Sequence, residues 1–207
     1  MSLTRFLPPL ALALTLGGCL SLGGKVPATL FTLTPESTIP AGTALSGKPS
    51  DGIVVFEPET DKRIGVQRIA VQVDGSNVAY LKDAMWVERP ARLFQNLLAE
   101  TIRAKSGKLV FLSDDTVGPT ATRLSGRILD MGYDARSMSV VVRFDAVRTS
   151  GDGTVSTKRF ESTVSGVAAE AVQVGPALNQ AGNEVAQQVA AWLTEPAAPA
   201  AQTAPQP

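Results

Sequence analysis

Met138, Val140, Val142, Phe144 and Ala146 occupy every second position of one run, with Arg143 and Asp145 between them. A period of two sustained over that length describes an extended strand with one buried and one wetter face. Gly151-Asp152-Gly153 follows as a hairpin turn, and residues 155–164 return with Phe160, Ser162 and Val164 in phase. Upstream, residues 123–132 carry Leu124, Gly126 and Ile128 in alternation. The three runs predict an antiparallel meander. One face must be covered by other elements, and the other meets solvent. Arg143 and Asp145 then fall on the solvent side, as a surface pair of small energy.

Two helical patterns supply the cover. Residues 90–104 open with Pro90, which fits a first turn, and carry Leu93, Phe94, Leu97, Leu98 and Ile102 as one stripe. Arg92, Gln95, Asn96, Glu100 and Arg103 point elsewhere, and Gly107 suits a left-handed cap. A second helix starts near Gly175-Pro176, with Leu178, Ala181, Val185, Val189, Trp192 and Leu193 at helical spacing. Both helices are expected on the same sheet face, with Phe94 and Trp192 in the core. Shorter apolar runs read as strands at 30–33, stopped by Pro35, and at 53–56, 68–73, 78–81 and 109–112. In the run 68–73, Ile69, Val71 and Val73 share a face, and Asp74-Gly75 ends it. Residues 36–51 are rich in Pro, Gly, Ser and Thr and read as loop. The fold class predicted is α+β: a mainly antiparallel sheet with two helices packed on one face.

Composition removes several chemistries. The 207 residues include no histidine and a single cysteine. That excludes Ser-His-Asp and Cys-His nucleophile pairs and every histidine-containing zinc site. No glycine-rich phosphate loop ending in Lys-Ser or Lys-Thr occurs. Basic and acidic residues number 19 each, so there is no bulk attraction for nucleic acid. Asp114 and Asp115 are adjacent, and Asp130 lies near Asp134 in the chain. Adjacent aspartates after a strand usually mark a solvated turn or a helix cap. The expectation is a protein that is not an enzyme and has no catalytic residues, cofactor or metal.

The cysteine sits in the opening stretch MSLTRFLPPLALALTLGGCLSLGG. Arg5 precedes a Leu- and Ala-rich run that is too short for a spanning helix, which needs roughly 20 apolar residues. Pro8 and Pro9 would also break a helix interior. A basic start, a short apolar core and small residues describe a secretory signal. Leu16-Gly17-Gly18-Cys19 resembles the bacterial lipobox. In such signals the thiol receives a diacylglyceryl group, cleavage follows before the cysteine, and the new amine is acylated. Two or more chains anchor stably where one binds only marginally. Leu20 stands where aspartate would resemble an inner-membrane retention signal, which points to the outer membrane and its periplasmic face. The domain organisation expected is a signal peptide at 1–18, a lipidated Cys19 with a flexible linker over 19–28, one α+β domain over 29–194, and a disordered Pro/Ala-rich tail over 195–207.

The ordered features resemble a family. After the lipobox come an aromatic-Thr-Leu strand, Phe31-Thr32-Leu33, and a strand with Arg68-Ile69-Ala70-Val71. An extended segment with Tyr80-Leu81 then leads through Met85-Trp86 to the helix that opens at Pro90. Residues 16–194 are similar in this order to the ABC-type transport auxiliary lipoproteins, the group that includes PqiC. The family pattern W-x-x-P-L is altered here, because the proline falls four residues after Trp86. The resemblance implies a periplasm-facing lipoprotein that works with an ABC permease, an ATPase and an MCE-domain protein in moving phospholipid between membranes. It implies docking of the MCE component rather than chemistry, with a homo-oligomer possible. Lipid attachment is assigned to Cys19. Tyr80, Leu81 and Trp86 are candidates for contact with a partner or lipid, Tyr80 and Leu81 as an exposed surface and Trp86 with a core role competing. The alternative function is an outer-membrane lipoprotein that regulates or scaffolds cell-wall or outer-membrane assembly machinery. A carboxylate-dependent envelope hydrolase is a third class, for which the sequence offers no sign.

Overall fold

The computed structural model describes residues 29–115 and 117–195. Its elements are β1 (Thr29–Phe31), β2 (Ile53–Val55), β3 (Glu59–Thr60), β4 (Arg68–Gln72), β5 (Val78–Trp86), α1 (Pro90–Ser106), β6 (Val110–Phe111), β7 (Thr122–Asp134), β8 (Ser139–Thr149), β9 (Val155–Ser165) and α2 (Ala171–Thr194). Cys19, the 19–28 linker and all of the 195–207 tail beyond Glu195 lie outside the described residues.

The expected meander is the spine of one sheet. The β7–β8 and β8–β9 ladders are antiparallel and run nearly the full strand lengths. The other edge of β7 is shared along its length by β2, β3 and β4, all parallel to it. β6 extends the sheet from β2, while β5 and then β1 extend it from β4. The class is α+β as expected, with a mixed, open sheet in which the longest ladders are antiparallel.

Val140, Val142, Phe144 and Ala146 are buried, and Phe144 meets Phe94 of α1 edge-on at 5.3 Å between ring centroids. Leu93, Phe94, Leu97, Leu98 and Ile102 of α1 and Leu178, Ala181, Val185, Val189, Trp192 and Leu193 of α2 join the same core. Fully burying one such aliphatic or aromatic side chain contributes about 1.5–3 kcal/mol. α1 ends at Gly107, at φ 65°, whose N–H reaches the Arg103 carbonyl.

Several expectations need correction. Met138 does not share the buried face: it precedes β8 at φ 48° and is 62% exposed. Strict alternation in β7 fails at a bulge between Ile128 and Asp130. The extra residue shifts the phase by one, so Met131 and Tyr133 are buried and Asp130 turns outward. Val73 is exposed beyond the end of β4. β5 is longer than the run 78–81, because its register against β4 slips between Arg68 and Ala70 and Asp83 takes a φ of 54°. That irregularity breaks the period of two and hides the rest of the strand from sequence. Gln95 does not point to solvent. It is 1% exposed, and its Nε2 donates to the Val55 carbonyl (2.8 Å) and to that of Leu112 (3.3 Å), tying α1 to β2 and to the residue that follows β6.

α2 starts at Ala171, ahead of the expected Gly175-Pro176, and holds Pro176 inside. The proline forfeits only one intrahelical bond near the helix start. Gly175 is required there, because a Cβ would collide with the Phe31 ring. Beyond Phe31 the chain is strapped along α2. The Thr34 N–H donates to Asn179 Oδ1 (2.7 Å), the Glu36 N–H donates to Asn183 Oδ1 (2.8 Å), and Asn183 Nδ2 donates to the Thr34 carbonyl (2.9 Å).

Candidate functional site on the open sheet face

The helices cover one face of the sheet. On the other face the outward residues of β7, β8 and β9 carry charge in complementary order. The β7 bulge is what brings Asp130 to this face. Its carboxylate accepts from Arg63 Nη2 at 3.0 Å and also pairs with Arg143. Arg143 Nε reaches Glu161 on β9 at 2.5 Å. Next along the ladder, Arg159 holds Asp145 through two bonds of 2.5 and 2.7 Å. Arg143 and Asp145 are therefore partners of other strands, not of each other.

Arg63 comes from the segment between β3 and β4 and also donates to the Leu129 carbonyl at 2.8 Å, in the gap on β7 between the β3 and β4 pairings. Its Nη1 reaches Gln72 at 3.2 Å. Arg63, Gln72, Asp74, Asp130, Asp134 and Arg143 surround a cleft of about 240 Å³ where the β4–β5 and β7–β8 hairpins meet. Asp134 is gripped by Arg136 at 3.1 and 2.6 Å. Asp74 closes its own turn, accepting from the side chain of Asn77 and from the backbone of Ser76 and Asn77.

The electrostatics run in one direction. Hydrogen bonding from Asn77, then from the backbone of Ser76 and Asn77, lowers the Asp74 carboxyl to about 2. The hydrogen bond from Arg136 lowers Asp134, that from Arg159 lowers Asp145, and that from Arg143 lowers Glu161. The hydrogen bond to Glu161 in turn raises Arg143. General acid–base work near neutrality needs a carboxyl pushed upward beside one that stays ionised. These groups are held ionised, an arrangement suited to charge complementarity with a partner. Among the described residues no cluster of three Asp, Glu, His or Cys side chains is placed to hold a metal ion. Asp114 and Asp115 lie exposed in a bend after β6, away from the cleft.

The residues expected at a contact surface separate. Trp86 is 1% exposed in the core, and its indole N–H has no acceptor among the described residues. Leu81, expected on an exposed surface, is buried at 7%: it follows Tyr80 in regular alternation and so faces the core. Tyr80 is half-buried, with the Arg68 guanidinium 4.2 Å over its ring. It pairs with Ala70, which lines the cleft, but Tyr80 is not itself a lining residue. Arg63 escaped the sequence reading, since nothing local marks its partner on β7. The clamp formed by Asn179 and Asn183 escaped too, although two asparagines four apart on one helix face were a visible signal.

A family model described as "ABC-type transport auxiliary lipoprotein component" matches residues 31–190. Among solved structures, protein XCC0632 from Xanthomonas campestris, of the DUF330 family model, is similar with a TM-score of 0.64 and 15% identity. That match covers 80% of this chain and 94% of the other. A structure described as an uncharacterized protein matches with a TM-score of 0.61 and 10% identity, over 73% of this chain and 97% of that one. At such identities these two likenesses speak to the fold. No curated protein matches the chain.

Proposed function

The chain belongs to the ABC-type transport auxiliary lipoprotein family, and from that premise we propose that it is a non-enzymatic docking subunit of a lipid transporter. In this reading Cys19 carries the lipid and the protein faces the periplasm from the outer membrane. The open sheet face receives a periplasmic MCE-domain partner, which an ABC permease and its ATPase serve from the inner membrane. The observation that carries the reading is the charged ladder Arg63–Asp130–Arg143–Glu161, on a face that no helix among the described residues covers. Ordered charge of both signs favours a specific protein partner, because mismatched partners meet like charges. The polar walls of the cleft support docking over passage of an acyl chain.

The test is crosslinking of the lipidated protein in its native envelope, read by mass spectrometry, with and without Arg143→Glu and Arg159→Glu. The expected result is an MCE-domain protein with its permease, lost on charge reversal while the domain stays folded. Recovery of cell-wall synthases or assembly factors instead would put the regulatory alternative first. An MCE partner captured equally by the charge-reversed protein would move the docking surface off this face.

A further inference from the structure

We propose that the end of the domain formed by the β4–β5 turn, the β7–β8 turn and the start of α2 rests on the bilayer that holds the N-terminal lipid. The proposal builds on the lipid attachment at Cys19 and adds which surface of the domain meets the membrane.

The first support is where the described chain begins. The Phe31 ring lies on Gly175, Thr34 bonds Asn179, and Glu36 bonds Asn183. The segment therefore runs in the same direction as α2, and Thr29 lies beside the first residues of that helix. Cys19 precedes Thr29 by ten positions. A chain of that length spans at most about 36 Å, so an acylated Cys19 holds this end of the domain near the lipid surface.

The second support is what this end displays. Val172 in the first turn of α2 is 72% exposed, the largest exposure among the domain's exposed large hydrophobic residues, and Met138 is next. The Val167 N–H donates to the Met138 carbonyl at 3.0 Å, which seats the β7–β8 turn against the approach to α2. Gln72 pairs with both Val78 and Asp134, which brings the exposed Val73 and Val78 of the β4–β5 turn to the same end. Met138 is held in a left-handed conformation that costs a non-glycine residue, and its side chain stays largely exposed there. Of the nearby charges, Asp134 is paired with Arg136, while the Asp74 carboxylate is hydrogen-bonded within its own turn by neutral groups and keeps its charge. Scattered apolar tips bind a free membrane weakly, but a covalent tether makes the contact intramolecular and its effective concentration high. Val155, at the far end of the sheet, is also exposed and serves as the internal control.

The test uses the full-length lipidated protein in vesicles of phosphatidylethanolamine and phosphatidylglycerol. Met138→Cys, Val172→Cys and Val155→Cys are made singly and labelled with a nitroxide; a lipidated Cys19 offers no thiol to the label. Accessibility to oxygen and to a water-soluble nickel chelate is then compared. The expected result is an oxygen-to-nickel ratio several-fold higher at 138 and 172 than at 155. Equal, aqueous values at all three sites, or a lipid signature at 155, would overturn the orientation. Failure to float with the vesicles, together with a reactive Cys19 thiol, would instead show that the anchor reading failed and would take the orientation with it.

Discussion

Arg148 shows what one side chain does in this fold. It is 4% exposed, and its Nη1 donates to the carbonyls of Trp192 (3.0 Å) and Glu195 (3.1 Å) at the end of α2. Its guanidinium lies 4.9 Å over the Trp192 ring. A cation here satisfies carbonyls that no further helical turn would reach and offsets the negative end of the helix. Arg148→Met keeps much of the packing and loses those bonds, so we expect a loss of about 1.5–3 kcal/mol in urea unfolding. Asp74 makes a prediction in pH. Its folded pKa of about 2 lies below the ordinary 3.8, so its contribution is complete above that ordinary value. The contribution is lost as pH falls through the folded value. NMR titration of the carboxyl should place the midpoint near 2, and Asn77→Ala should move it up toward 3.8. A wild-type midpoint at the ordinary value would mean that the turn is not closed in solution. Both features depend on partners that composition does not reveal. The Asp74-to-Asn77 turn is local and was legible as the end of a strand, whereas nothing local marks the partners of Arg148, which lie 44 and 47 residues away.

At the scale of the element, β7 carries the decisive irregularity. The bulge puts Leu129 and Asp130 together opposite one position of β8, so Met131 instead of Asp130 enters the core. Met131→Ala should therefore cost about 2–5 kcal/mol, as expected for a buried large-to-small change. Leu129→Ala, at a half-buried site beside the bulge, should cost clearly less. Equal costs, measured by denaturant midpoints at unchanged slope, would mean that the strand is regular. The helices were the most legible elements. Their apolar stripes repeat over several turns, and all the residues assigned to them are buried. Their boundaries were less so, because contact with Phe31, and not α2's own sequence, explains the glycine inside the helix. β3 is not visible in the sequence. A strand of two residues has no period to detect, and only pairing with β7 makes it one.

For the whole molecule, stability should be graded from the meander outward. β7, β8 and the inward faces of both helices share the core, while β1, β3 and β6 are two or three residues long at the margins of the sheet. Hydrogen exchange should be slowest in β7 and β8 and fastest in those short strands. Asn183→Ala should speed exchange of the Glu36 amide beyond any global effect, because it removes that amide's acceptor and the bond to the Thr34 carbonyl that straps the N-terminal segment to α2. Uniform protection across all strands would contradict this grading. The α+β class, the meander and the two covering helices were all readable from residue order, because periods of two and of 3.6 residues report which side of an element is apolar. Pairing between distant segments was not readable. The parallel ladder of β2, β3 and β4 on β7, the burial of Leu81 and the gathering of Arg63, Asp130, Arg143 and Glu161 each join residues far apart in the chain. Such contacts arise from register and from bulges, which depend on the fit of two strands together, and no single segment carries that information.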